Sequence, residues 1–157
     1  MKINTTFSRD LIKGRIAEVI FEQMIREENR YTVIPFGYEH TMPMLTQYRD
    51  CALIPKIIDN ISEAPDFVLI SDPDKTKVYL VEVKYQTVFD FVLIKQYAED
   101  LTHRWEHPWI FVATPEMFYC GLCKTIYDED TIKPLSESWV AAERQKAYLE
   151  LLNEFRR

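Results

Sequence analysis

The chain has 157 residues, 47% of them apolar, with three glycines and a net charge of −6. That length and apolar content suit one domain with its own core and exclude a disordered chain. The acidic balance counts against a general nucleic-acid binder, whose phosphate contacts come from a basic footprint, unless cations cluster locally or a partner delivers the substrate. No apolar run approaches the ~18 residues of a membrane span, and Met1–Thr6 lacks an apolar leader core. Neither a membrane partner nor secretion is expected. Cys51, Cys120 and Cys123 form an odd, sparse set, which fits reduced thiols in a cytoplasm better than a disulfide framework.

In chain order, Ser8 or Asp10 is expected to cap a helix running to about Glu28. Its apolar positions (Ile12, Ile16, Ala17, Val19, Ile20, Phe21, Met24, Ile25) cover more than half the circumference, which predicts a largely buried helix. Tyr31–Glu39 is β-branched and aromatic and reads as a strand, with Pro35 and Gly37 marking an edge or a bulge. Residues 40–64 are punctuated by Pro43 and Pro55, with a short helix near Lys56–Ile61. Two strands follow, Phe67–Ser71 and Lys77–Tyr85, joined by the turn signal Asp72-Pro73-Asp74-Lys75. Asp90–Arg104 carries Ile94, Ala98 and Leu101 at helical spacing, with Phe91 on the same side. Pro108–Ala113 reads as a buried strand. Residues 114–135 read as irregular, with a short hairpin around Gly121. Ser136 is expected to cap a last helix striped by Val140, Ala147, Tyr148, Leu151, Leu152 and Phe155. The order α-β-β-β-α-β plus a C-terminal helix predicts an α/β (α+β) fold, a mixed sheet covered on both faces. One domain is expected over 1–157, with its core at about 10–114 and a helical extension at about 136–156.

The first hairpin carries the chemistry. A turn centred on Asp74 pairs residues whose numbers sum to 148: Ile70 with Val78, Val68 with Leu80, Asp66 with Glu82. Opposed side chains on one face lie ~4.5–5.5 Å apart at Cβ. Glu82, Lys84 and Gln86 then share a face, while Val81, Val83 and Tyr85 point the other way. Like charges set opposite each other destabilise a sheet unless something neutralises them. A hard divalent cation does so, and the Val83 carbonyl is a further candidate ligand. Such a cation lowers the pKa of its bound water toward neutrality. Lys84, beside two carboxylates, is expected to stay charged and to hold the attacking water or the developing phosphorane charge. The plainer alternative is a hairpin with a solvated polar end and Lys84 as counter-ion.

Pro65-Asp66, fifteen intervening residues, then Glu82-Val83-Lys84 resembles the PD-(D/E)xK nuclease superfamily. That group includes restriction endonucleases, Holliday junction resolvases and RecB-type exonuclease domains. The resemblance covers residues 10–114 and implies a restriction endonuclease-like α-β-β-β-α-β core and Mg²⁺- or Mn²⁺-dependent hydrolysis of DNA. It also implies a first-helix glutamate in a Gly-x-x-x-Glu pattern, which Gly14 to Glu18 match. Glu18 would then assist the metal; as a plain helix-face charge it would instead pair with Arg15 or Glu22. RecB-like members place a Gln and a Tyr four residues apart on the helix after the lysine, whereas Gln96 and Tyr97 are adjacent here. Asp66, Glu82, Lys84, Glu18 and Gln86 are thus the candidate catalytic residues. Asp66, Glu82, Val83 and Glu18 are the candidate metal ligands, and Lys84, Gln86, Lys95 and Gln96 the candidate substrate contacts.

His103 and His107 with Cys120 and Cys123 offer two His and two Cys. The strand at Trp109–Ala113 separates the pairs, so a structural Zn²⁺ at Cys120 and Cys123 is not expected. The leading reading is a metal-dependent nuclease acting on DNA, as a homodimer or beside a partner protein that delivers substrate. The second is a catalytically inactive domain of this fold, binding nucleic acid or serving as a subunit of a larger complex.

Overall fold

The computed structural model describes residues 6–37 and 64–156. Nine elements occupy them: α1 (Thr6–Glu27), β1 (Tyr31–Pro35), β2 (Phe67–Ser71), β3 (Val78–Tyr85), α2 (Phe91–Arg104), β4 (Pro108–Ala113), β5 (Phe118–Leu122), α3 (Cys123–Glu129) and α4 (Ala142–Arg156). The expected helix near Lys56–Ile61 lies outside the described residues.

The strands form one mixed sheet in the order β1-β2-β3-β4-β5. β1, β2 and β3 are antiparallel neighbours, β4 runs parallel to β3, and β5 returns antiparallel to β4. The parallel step needs a long crossover, and α2 supplies it. The β2–β3 register is Phe67↔Val81, Val68↔Leu80 and Ile70↔Val78, the pairing expected from a turn centred on Asp74. Asp74 closes that turn, its Oδ1 accepting from the Ser71 hydroxyl at 2.7 Å and the Thr76 N–H at 3.2 Å. Among the described residues β1 is the edge strand of this sheet, where a proline is tolerated.

Alternation sends apolar side chains to both faces. Phe67, Leu69, Val81, Val83, Phe111, Ala113, Phe118 and Cys120 pack against Ala17, Ile20, Phe21, Met24 and Ile25 of α1 and Leu152 of α4. Phe21 bridges strands, its ring 5.3 Å from Phe67 and 4.8 Å from Phe111. On the other face Ile110 and Val112 pack against Ile94, Ala98 and Leu101 of α2 and Cys123 and Ile126 of α3. Glu82 and Lys84 alternate with Val81 and Val83, so they point to the α2 side.

Several expectations need correction. The first helix starts at Thr6, so Ser8 and Asp10 lie inside it. It is buried along one strip only: Leu11, Ile12 and Val19 are more than half exposed. Residues 114–135 hold β5 and α3, and the hairpin turns at Thr114–Met117, where the Thr114 Oγ1 accepts from the Met117 N–H at 3.1 Å. Gly121 is inside β5, where a Cβ would come within 3.2 Å of the Ile126 side chain, close enough that Ile126 would have to shift. Ser136 accepts the Val140 N–H in a turn and does not cap α4, which begins at Ala142. Of the α4 stripe, Leu152 is buried while Phe155 is 64% exposed. Among the described residues, no helix is long and apolar enough to cross a membrane.

Candidate functional site

Asp66 is the residue before β2, and three contacts fix it. Its carbonyl accepts the N–H groups of Phe36 at 2.8 Å and Gly37 at 3.1 Å. Its carboxylate Oδ2 accepts the Val83 N–H at 2.8 Å. The chain after β1 thus closes over Asp66, and the buried Gly37 lies with its Cα side against Asp66, where a Cβ would meet the Asp66 Cα at 3.4 Å. Extending the ladder by one residue sets Asp66 opposite Glu82, on the α2 side.

Glu82 and Lys84 are two apart on β3, and the Lys84 Nζ lies 2.9 Å from the Glu82 Oε1. Their side chains are only 15% and 30% exposed, which makes this trio a partly desolvated charge cluster. Burial pushes the Asp66 carboxyl up to about 8, and the Glu82 and Glu18 charges add to that; the Val83 N–H and Lys84 oppose it. Burial also raises Glu82, against the lowering pull of Lys84. Lys84 feels burial in the lowering direction, but Glu82, its hydrogen bond, and then Asp66 outweigh it and leave the ammonium raised. Lys84 is therefore a firmly held cation, unsuited to act as a base. The Lys84 Nζ also sits over the Tyr97 ring, 4.6 Å from its centroid.

Glu18 pairs with Arg15 at 2.9 Å and is 19% exposed. Its charge still raises both Asp66 and Glu82. Among the described residues, no three His, Cys, Asp or Glu side chains close up tightly enough to hold an ion. α1 covers the Val81 and Val83 face, opposite the face that carries Glu82 and Lys84.

The remaining candidates spread outward. Gln86 is buried, and its amide clasps one residue: Nε2 donates to the Asp90 carbonyl at 3.2 Å and Oε1 accepts the Asp90 N–H at 2.9 Å. Asp90 in turn caps α2 through the Leu93 N–H at 3.2 Å. Lys95 pairs with Asp130 and lies over the Tyr127 ring, and Gln96 is exposed. Neither joins the carboxylate cluster. Cys120 packs on the α1 face and Cys123 on the α2 face, both buried and unpaired, with burial pushing both thiols up to about 12. Thiols so disfavoured as thiolates and turned to opposite faces are poor partners for one metal.

Four residues contribute in ways the sequence did not show. Tyr97 counted only as a departure from a motif, though it flanks Ala98 on the inward side of α2. Phe36 and Gly37 hold Asp66 through backbone groups, which leave no side-chain signal. Cys123 is close enough to Glu82 to feel its charge.

Chemically, two partly buried carboxylates offer hard oxygens, and their mutual repulsion is what a divalent cation would relieve. The donor chemistry fits Mg²⁺ or Mn²⁺.

No protein-family model and no curated protein matches the chain. Among solved structures the chain is similar to Archaeoglobus fulgidus Hjc, a Holliday junction resolvase from an archaeal hyperthermophile. The two share 10% identity, the alignment covers 85% of this chain and 98% of that one, and the TM-score is 0.38. A likeness that slight leaves the function to be argued from the chain's own residues.

Proposed function

We propose that this chain is a Mg²⁺- or Mn²⁺-dependent nuclease that hydrolyses phosphodiester bonds in DNA. The observation that carries the reading is the partly buried Asp66–Glu82 pair, whose like charges oppose each other, with the Lys84 Nζ held 2.9 Å from the Glu82 Oε1. Asp66 and Glu82 would hold the cation, with the Val83 carbonyl as a further ligand and Glu18 assisting from α1. When bound, the cation supplies Lewis-acid polarisation of the phosphate and an acidified water. Lys84 offers its ammonium to the charge that grows on the phosphate in the transition state. Gln86 braces the loop into α2, and Lys95 and Gln96 are outlying candidates for contact with the nucleic-acid backbone.

The test is cleavage of labelled DNA by the wild type, Glu82→Ala and Lys84→Ala, with and without Mg²⁺. Each variant is expected to lose roughly 10²–10³-fold in rate, as for loss of a preorganised charge-stabilising group. Wild-type rates in both variants would contradict the assignment.

One observation favours a second reading, a non-catalytic subunit of a larger complex. A largely apolar groove of about 560 Å³ runs between α1 and α4, lined by residues including Leu11, Ile12, Val19, Leu151 and Phe155. Exposed apolar patches often mark protein contacts. A stable hetero-complex together with no divalent-cation binding would favour that reading.

A further inference from the structure

We propose that Tyr97 is a positioning residue that fixes the Lys84 ammonium over the candidate site by holding it against the face of its ring. The proposal rests on the nuclease reading only where activity is concerned; the contact itself stands on geometry.

A lysine ammonium is a point charge on a flexible four-carbon stem, so a single ion pair leaves it free to pivot. Lys84 has two anchors: the Glu82 Oε1 at 2.9 Å and the Tyr97 ring centroid at 4.6 Å, well within the ~6 Å range of cation–π attraction. The two differ in kind. Glu82 is also a candidate metal ligand, so its pull on Lys84 falls when its charge is shared with a cation. The ring's attraction does not depend on Glu82, and it keeps the ammonium in place when the carboxylate is engaged.

The fold places that ring with care. Ile94, Ala98 and Leu101 are buried against the sheet and set the roll of α2. The Asp90 cap sets its start, and Gln86, two residues after Lys84, grips Asp90 at both its N–H and its carbonyl. The strand that carries Lys84 thereby fixes the register of the helix that carries Tyr97. A buried Gln spent on one backbone residue is explained by that task.

The experiment compares Tyr97→Phe and Tyr97→Leu with the wild type by two readouts. In metal-free protein, NMR of the Lys84 methylene protons next to Nζ should show an upfield ring-current shift in the wild type. The shift should persist in Tyr97→Phe and vanish in Tyr97→Leu, with resonances elsewhere unchanged. In Mg²⁺-dependent cleavage, Tyr97→Phe should stay within about twofold of wild-type kcat, and Tyr97→Leu should fall roughly tenfold at near-constant KM, the scale of one partly desolvated cation–π contact. An unshifted Lys84 in the wild type, or wild-type kcat in Tyr97→Leu, would overturn the proposal. Absence of cleavage in the wild type would sink the nuclease reading, and the ring-current shift would then decide the Tyr97 contact alone.

Discussion

The two ends of β3 bury opposite things. At its start, Tyr79 enters a cluster of four rings, with centroids 5.0 Å from Trp139 and 5.9 Å from both Trp109 and Tyr31. Trp139 also stacks on Tyr31 at 5.4 Å and lies 5.2 Å from Trp109. That end removes apolar area from water and gains favourable ring contacts, so its burial stabilises the fold. Three residues on, the strand sets Glu82, partly desolvated, beside Asp66 and Lys84. Desolvation there works against folding, as the upward shifts of both carboxyls record. A strand that stabilises at one end and carries strained electrostatics at the other separates holding the fold from holding the proposed site.

The largest expected effect at the aromatic end comes from Trp139→Ala, which removes one of the two rings that touch all of the others. It should cost about 3–5 kcal/mol in urea denaturation, typical of a large aromatic truncation. Cleavage per folded molecule should stay at the wild-type level. A parallel loss of specific activity would show that the two ends are not separable.

A smaller effect, of opposite sign, belongs to the charged end. The Asp66 carboxyl has a folded value raised to about 8 from an ordinary 3.8. Between those limits the native state holds a proton that the unfolded chain has released. Stability of the metal-free protein should therefore fall as pH rises from about 4 to about 8, by an amount on the order of a few kcal/mol. Asp66→Asn should flatten that slope and be the more stable protein at pH 8. A wild-type profile that rises across this window would break the comparison.

The smallest effect is expected away from both ends. Lys95 pairs with a largely exposed Asp130, and exposed pairs contribute little. Lys95→Ala should leave the denaturation midpoint within experimental error. A clear drop would mean that α2 and α3 depend on that pair.

The sequence revealed most where local signals agreed. Phe67–Ser71 and Pro108–Ala113 are dense in β-branched and aromatic residues, and both strands have the expected bounds. Asp90 signalled the start of α2, and the Asp74 turn fixed the register that brings Asp66 toward Glu82. The rest depended on tertiary context. β5 is five residues long with a glycine inside, and Gly121 mimics a turn while serving the contact with Ile126. The periodicity of α1 marked its apolar positions, but not that Leu11, Ile12 and Val19 would face outward. The Lys84–Tyr97 contact spans a loop and a helix, beyond the reach of spacing within one element. Glu18 matched a pattern, and of the two partners the sequence offered for it as a plain helix-face charge, the structure pairs it with Arg15.

The nuclease reading requires that Asp66 and Glu82 form a divalent-cation site. Titrating ¹⁵N-labelled protein with Mn²⁺ tests it most directly. Paramagnetic broadening is expected to begin at Asp66, Glu82 and Val83, and Glu82→Gln should weaken the binding by at least ~10-fold, the lower range for disturbing a metal site. Broadening centred elsewhere, or equal binding by Glu82→Gln, would contradict it.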